Sequence, residues 1–174
     1  DDRSIRCYKL WADYATQGTD GAQAVVDNWL ALRDMDEGCA SAAEQLIKDK
    51  KISPHAAWVR ARLGMENDRP RIVNQAVGIL REDWVKTVSA IYDNPKKYLD
   101  DKLTALRPQT REFVSLALIR LAQKDPDDAA QEVDKLRWKT QLTAEERSWV
   151  WGAIGKRAAQ SGNRRQIGKG IFLR

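Results

Sequence analysis

The chain has 174 residues, of which 43% are hydrophobic and 32% are charged. This length and apolar content suit a domain with a buried core and exclude an intrinsically disordered chain. The net charge of +5 arises from 30 basic and 25 acidic side chains that are interleaved, which favours a solvated mixed-charge surface over nucleic-acid binding. No run of about 18 apolar residues occurs, so the sequence predicts no transmembrane segment. Because the chain starts at Asp1 without an apolar signal core, we expect a mature protein or a fragment.

Apolar residues recur at helical spacing from the beginning of the chain. The pattern predicts helices at 4–16, 21–33 and about 38–50. Gly18 follows the first of these segments, where a left-handed cap would end the helix. Segment 111–123 is apolar around most of its circumference, which predicts a helix that is packed on more than one side.

Four of the five prolines mark predicted helix starts, because proline lacks only an N–H that the first helical position does not need. They are Pro54, Pro70, Pro95 and Pro126. Pro108 is instead expected to end a short helix at about 96–106. Thr143 and Glu146 have the spacing of a capping box, which predicts a further helix start.

These elements predict an all-α fold of about ten helices, in which short turns make neighbouring helices antiparallel hairpins. Expected turns include 124–128 and 160–163. No strict repeat recurs in register, so the expected architecture is an irregular α-solenoid or superhelix that forms a single domain over 1–174.

The sequence contains no pattern of reactive side chains that predicts a catalytic residue, a metal site or a cofactor. His55 is the only histidine, and Cys7 and Cys39 are the only cysteines, too few for a zinc site. From spacing alone, the cysteines are either two buried thiols or one disulfide between neighbouring helices. Segment 162–170 resembles a phosphate-binding loop only superficially, since its glycine spacing is wrong and no strand precedes it.

Tryptophan is the most informative residue type, with seven copies spread along the chain. Packing between helices is the main interpretation, because each ring brings a large apolar area. Carbohydrate stacking along a groove is the alternative. Trp149 and Trp151 are two positions apart and do not both face one core, so one of them is expected at the surface.

Several of these segments together resemble the superhelical region of soluble lytic murein transglycosylases. The resemblance begins with Cys7-Tyr8, a tryptophan-bearing helix, a Gln-Gly turn and Cys39. It continues through 57–65, 113–123, 127–130 and 149–162. It therefore covers nearly the whole chain, although the family's catalytic Glu-Ser, Gly-Leu-Met-Gln and Ala-Tyr-Asn motifs do not occur in it.

The resemblance implies a periplasmic protein that acts on peptidoglycan. Family members cleave the bond between N-acetylmuramic acid and N-acetylglucosamine without water, and one glutamic acid produces a 1,6-anhydro ring. Since the catalytic motifs are absent, this chain is expected to be the scaffold and glycan-handling segment, inactive alone. The resemblance also implies that Cys7 and Cys39 form a disulfide.

The expected partners are peptidoglycan glycan strands, the catalytic domain of the parent protein and other cell-wall enzymes, without nucleic acid. Candidate glycan contacts are the following side chains: Trp149, Trp151, Lys96, Lys97, Arg164 and Arg165. The basic stretch 48–51 is a further candidate. Ordinary surface solubility explains these charges equally well, and a protein-binding α-solenoid adaptor is the alternative function.

Overall fold

A computed structural model describes the backbone of residues 2–17 and 21–172 and the side chains of residues 5–16 and 21–162. Within these ranges the chain contains eleven α-helices, one short 3₁₀ helix and no strand. The prediction of an all-α fold is confirmed. The helices are α1 Asp2–Gln17, α2 Ala22–Ala31, α3 Glu37–Lys48, α4 His55–Glu66, α5 Pro70–Leu80, α6 Val85–Asp93, α7 Pro95–Asp101, α8 Pro108–Lys124, α9 Pro126–Val133, α10 Leu136–Gln141 and α11 Ala144–Phe172, with the 3₁₀ helix at Glu82–Trp84.

The chain forms two compact units, 1–88 and 89–174, which divide within α6. The single domain that the sequence predicts over 1–174 stays a prediction. No helix in the described part of the chain is long and apolar enough to cross a membrane.

In unit 1 the adjacent pairs α1–α2, α2–α3 and α4–α5 pack together, and helices two apart in the sequence also contact each other. Thus α1 contacts α2 and α3, α2 contacts α4, and α3 contacts α5. Trp29 and Met65 are fully buried in this packing. Gly64 allows α4 and α5 to approach closely, because a Cβ atom there would lie 2.9 Å from Cγ2 of Ile72. The disulfide between Cys7 and Cys39 joins α1 to α3, with the two Cα atoms 5.0 Å apart.

The helices α3 and α4 end in the same way. Lys50 and Asp68 adopt left-handed backbone conformations, with φ of 58° and 55°. In each case the following N–H bonds back to a carbonyl in the last turn, at 2.8 Å from Lys51 to Leu46 and 2.8 Å from Arg69 to Gly64. Both ends are therefore Schellman motifs in which a residue other than glycine occupies the left-handed position.

Unit 2 is built around α8, which contacts α7, α9 and α11. Every side chain from Glu112 to Ile119 is buried, so the prediction that segment 111–123 packs on more than one side is confirmed. Trp138 on α10 is also fully buried.

The predicted helix starts are largely confirmed. The side chains of Asn94 and Asp125 each accept a hydrogen bond from the backbone N–H three residues later, at 3.1 Å in both cases. The Ser53 hydroxyl accepts the His55 N–H at 3.1 Å. Thr143 and Glu146 form the reciprocal pair of a capping box, at 2.7 and 3.1 Å. Gly18 lies outside the described residues.

Two predicted boundaries are wrong. The helix expected at 96–106 ends at Asp101, because backbone groups of the next segment bond to α10 instead: Arg137 donates to the Lys102 carbonyl at 3.1 Å, and the Ala105 N–H donates to Gln141. Pro108 consequently begins α8 as its first residue. The turn expected at 160–163 is also absent, since α11 continues to Phe172. Gly162 lies inside this helix. A glycine destabilises a helix by about 1 kcal/mol relative to alanine, which does not by itself end the helix.

Candidate functional site

The candidate glycan contacts on α7 have internal partners. Lys96 bonds to Asp128 at 2.9 Å and to Glu132 at 3.1 Å. The hydrogen bond to Asp128 is the main cause of a raised Lys96 pKa. Lys97 is 71% exposed and pairs with Asp101 one turn away at 3.0 Å. Of these two lysines, Lys97 is therefore the one that a polymer reaches without breaking a part-buried contact.

The candidate contacts on α11 differ in exposure. Trp149 is half-buried, whereas Trp151 is 43% exposed. Residues two positions apart on a helix point in different directions, so Trp151 is the ring that is available to a ligand. The side chains of Arg164 and Arg165 lie outside the described residues.

Lys96 belongs to a cluster around Glu132 of α9, a residue that the sequence analysis did not single out. The Glu132 side chain is fully buried. It accepts hydrogen bonds from Lys96, Lys135, Arg137 and Trp138 at distances between 2.8 and 3.1 Å. Its spacing could have indicated that it is buried, because Glu132 lies on the same face of α9 as the buried residues Ala129 and Val133.

The electrostatics of the cluster favour an ionised carboxylate. Burial by itself raises the pKa of Glu132, but the donated hydrogen bonds outweigh it and lower the pKa to about 2. A carboxylate held in this state accepts no proton near neutral pH and does not serve as a general acid. The cluster therefore joins α7, α9 and α10 structurally.

Other reactive groups in the described part of the chain are not brought together. Both cysteine sulfurs are bonded to each other, so neither is a thiolate nucleophile. His55 is exposed in the first turn of α4. No group of three or more histidine, cysteine or carboxylate side chains is placed to hold a metal ion in this part of the chain.

One concave region among the described residues of unit 1 surrounds Arg60 of α4. This pocket has a volume of about 360 Å³, and the Arg60 side chain is only 1% exposed. Arg60 donates to the carbonyl oxygen of Leu32 and, at 3.0 Å, to that of Asp34. Its guanidinium carbon also lies 6.0 Å from the Trp29 ring centroid. Since these carbonyls follow α2 directly, Arg60 acts as a C-terminal cap of that helix.

Another concave region, the α1–α3 hollow, has a volume of about 520 Å³ and opens to solvent. It is lined by Trp11, Tyr14, Ala15, Gln45, Asp49 and Lys51. Two aromatic rings come from α1, while the polar groups come from the C-terminal end of α3 and the residues after it. Lys51 belongs to the basic stretch 48–51, but its juxtaposition with Trp11 depends on the tertiary packing of α1 on α3.

Inside the hollow, the Asp49 carboxylate is held by two neighbours. The Tyr14 hydroxyl lies 3.4 Å from one oxygen, and the Gln45 amide donates to the other at 3.0 Å. Burial and the adjacent Asp49 raise the pKa of Tyr14, so the phenol keeps its proton. These contacts orient a negative hydrogen-bond acceptor beside two aromatic rings.

Comparison with known proteins identified no relative of this chain. No protein-family model, no curated protein and no solved structure matches this chain.

Proposed function

We propose that this chain is the scaffold and glycan-strand-handling segment of a periplasmic peptidoglycan lytic transglycosylase, whose catalytic domain lies outside it. The observation that carries the proposal is the disulfide between Cys7 on α1 and Cys39 on α3. Disulfides persist in oxidising compartments such as the periplasm and are rare in the cytosol. The pairing is also the one that the resemblance to the transglycosylase superhelix implies.

Two further features support a scaffold role over a catalytic one. The described residues are all-helical, with helices that pack against near neighbours within each unit, which suits a solenoid scaffold that supports another domain. The buried carboxylate of Glu132, whose pKa is lowered to about 2, is committed to internal hydrogen bonds. Catalysis in the parent protein is accordingly assigned to the separate domain that carries the acid/base glutamic acid.

Binding to purified peptidoglycan sacculi tests the proposal. The oxidised chain is incubated with sacculi and sedimented, and we expect it in the pellet. Retention should persist at about 0.15 M ionic strength, where charge attraction alone is screened beyond roughly 8 Å. An unrelated helical protein of similar pI provides the control for non-specific adsorption.

An unretained chain would contradict glycan handling and would favour the adaptor function, in which the solenoid binds another protein. The exposed side chains Leu103 and Leu106 give that alternative a surface, since they are 81% and 75% exposed. Thiol titration of the native, non-reduced protein tests the compartment separately. We expect no free thiol, and two free thiols would argue against export.

A further inference from the structure

The chemistry of the α1–α3 hollow identifies a class of ligand. We propose that this hollow binds one N-acetylhexosamine ring of a glycan strand, with the sugar stacked on Trp11 and its polar groups bonded at Asp49, Gln45 and Lys51. The inference deepens the function proposed above, and it depends on that function for the source of the sugar. The hollow is distinct from the contacts on α7 and α11 that the sequence suggested.

Size and form suit a single sugar ring. The hollow measures about 520 Å³, which lies within the roughly 300–1,000 Å³ that is usual for small-molecule sites. It is open to solvent, so a sugar ring that continues into a polymer is accommodated without being enclosed. A closed cavity would not accommodate a strand.

The aromatic wall matches the apolar face of a pyranose. Trp11 and Tyr14 are three positions apart on α1 and therefore lie on one face of that helix. Both rings pack partly against the buried cluster formed by Ala22, Val25, Ala42 and Leu46, which holds them in place. Each nevertheless remains half-exposed on the hollow side. The C–H groups of a pyranose face provide an apolar surface that these rings cover.

The polar wall matches the hydroxyl and acetamido groups of an amino sugar. An ionised carboxylate has about four acceptor positions, and Tyr14 and Gln45 engage Asp49 once each. The remaining positions accept sugar hydroxyls as charge-assisted hydrogen bonds. The Gln45 amide oxygen is left to accept the acetamido N–H, and Lys51 supplies an ammonium donor for the acetamido carbonyl or a hydroxyl.

The balance of charge disfavours the competing ligands. Asp49 and Lys51 both line the hollow, so one negative and one positive side chain leave it near neutral. A phosphate or other anion meets the Asp49 carboxylate together with the negative C-terminal end of α3. An organic cation over the aromatic rings meets the Lys51 ammonium. A neutral, hydroxyl-rich ligand avoids both repulsions.

The test is a titration of the full oxidised chain with tri-N-acetylchitotriose, followed by the indole N–H signals of the tryptophans in two-dimensional NMR. We expect the Trp11 signal to shift progressively with ligand, while those of Trp149 and Trp151 stay in place. Asp49→Asn keeps the shape of an exposed residue but removes its charge, and it should weaken binding about tenfold. Asp134→Asn makes the same chemical change at an exposed carboxylate outside the hollow; it is the control and should leave the affinity unchanged.

Trp11→Ala removes the stacking surface, but it also removes contacts with the buried cluster. Tyr14→Phe complements it, since it keeps the ring and deletes only the hydroxyl that holds Asp49; a several-fold loss of affinity is expected. A folded chain that shows no Trp11 shift, or one whose Trp151 signal moves instead, would overturn the proposal.

The two proposals fail in different ways. A chain that is retained by sacculi but shows no Trp11 shift with tri-N-acetylchitotriose keeps the scaffold function and loses this sugar site. A chain that binds the trisaccharide at Trp11 but is not retained by sacculi keeps the sugar site and loses peptidoglycan as its source.

Discussion

In unit 1 a covalent bond ties α1 to α3, whereas in unit 2 the buried carboxylate of Glu132 gathers cationic and indole donors from α7, the α9–α10 turn and α10. Both devices connect helices that lie far apart in sequence. The stabilisation by the disulfide depends on the redox state and not on pH. The stabilisation by the ionic cluster depends on pH and not on the redox state. The two units of one helical chain are thus stabilised by forces that an experimenter can remove separately.

The largest expected effect comes from Glu132→Ala in unit 2. Its removal leaves Lys96 and Arg137 without their shared buried partner, and breaking a buried ion pair from one side costs about 3–5 kcal/mol. Hydrogen exchange should show lost protection in α7, α9 and α10, while α4 and α5 keep theirs. Asp101→Ala, which breaks an exposed pair with Lys97, is the control and should cost less than about 1 kcal/mol. Equal losses in both variants would refute a special role for Glu132.

Breaking the disulfide should have the next largest effect, confined to unit 1. Cys7 and Cys39 are 32 positions apart, and closing a loop of that size restricts the unfolded chain by about 3–4 kcal/mol. The double variant Cys7→Ser, Cys39→Ser should lose that amount in urea denaturation, with exchange accelerated in α1 and α3. A reducing agent should reproduce the effect in the wild type and leave the double variant unchanged.

Acid should weaken unit 2 through Glu132. The folded pKa is about 2 and the ordinary value is 4.5, so the stabilisation is complete above pH 4.5 and is lost as pH falls towards 2. The lowering corresponds to about 3 kcal/mol. The gap in stability between the wild type and Glu132→Gln should therefore narrow as the pH falls from about 5 to 2. A gap that stays constant across this range would show that the carboxylate is not the titrating group.

The smallest expected effect is stabilising. Lys50 has φ of 58° at the end of α3, and a left-handed conformation costs a residue with a Cβ atom about 1 kcal/mol. Lys50→Gly should raise the free energy of unfolding by up to about 1 kcal/mol. Asp68→Gly at the end of α4 should gain less, because aspartate tolerates this conformation better. Thermal denaturation of the two variants compares them directly, and a larger gain at Asp68 would contradict the ranking.

Local sequence signals predicted the helices best where the capping group and the helix are adjacent. Thr143 and Glu146 formed their reciprocal bonds as expected, and the prolines after Asn94 and Asp125 begin α7 and α9. The local rule was wrong for Pro108, because the segment before it bonds to α10 more than thirty positions away. A pattern read along the chain contains no information about that partner.

In the candidate site, too, local sequence predicted single residues but not which of them come together. Trp11 falls within the helix predicted at 4–16 and Lys51 within the basic stretch 48–51, but nothing in their spacing links them. Asp49 is held by Gln45, four positions earlier, and also by Tyr14, 35 positions earlier, which only the tertiary packing brings beside it. Glu132 likewise looks like an ordinary helical glutamate until its donors from other helices surround it.

The sequence by itself determined that this protein is helical, where most helices begin, and that 111–123 lies in a core, because capping bonds and apolar periodicity act over three or four positions. Only the tertiary structure decided which side chains converge. The α1–α3 hollow and the Glu132 cluster exist because packed helices bring together residues about 35 positions apart. Contact at that separation depends on how the helices stack, which no local pattern encodes.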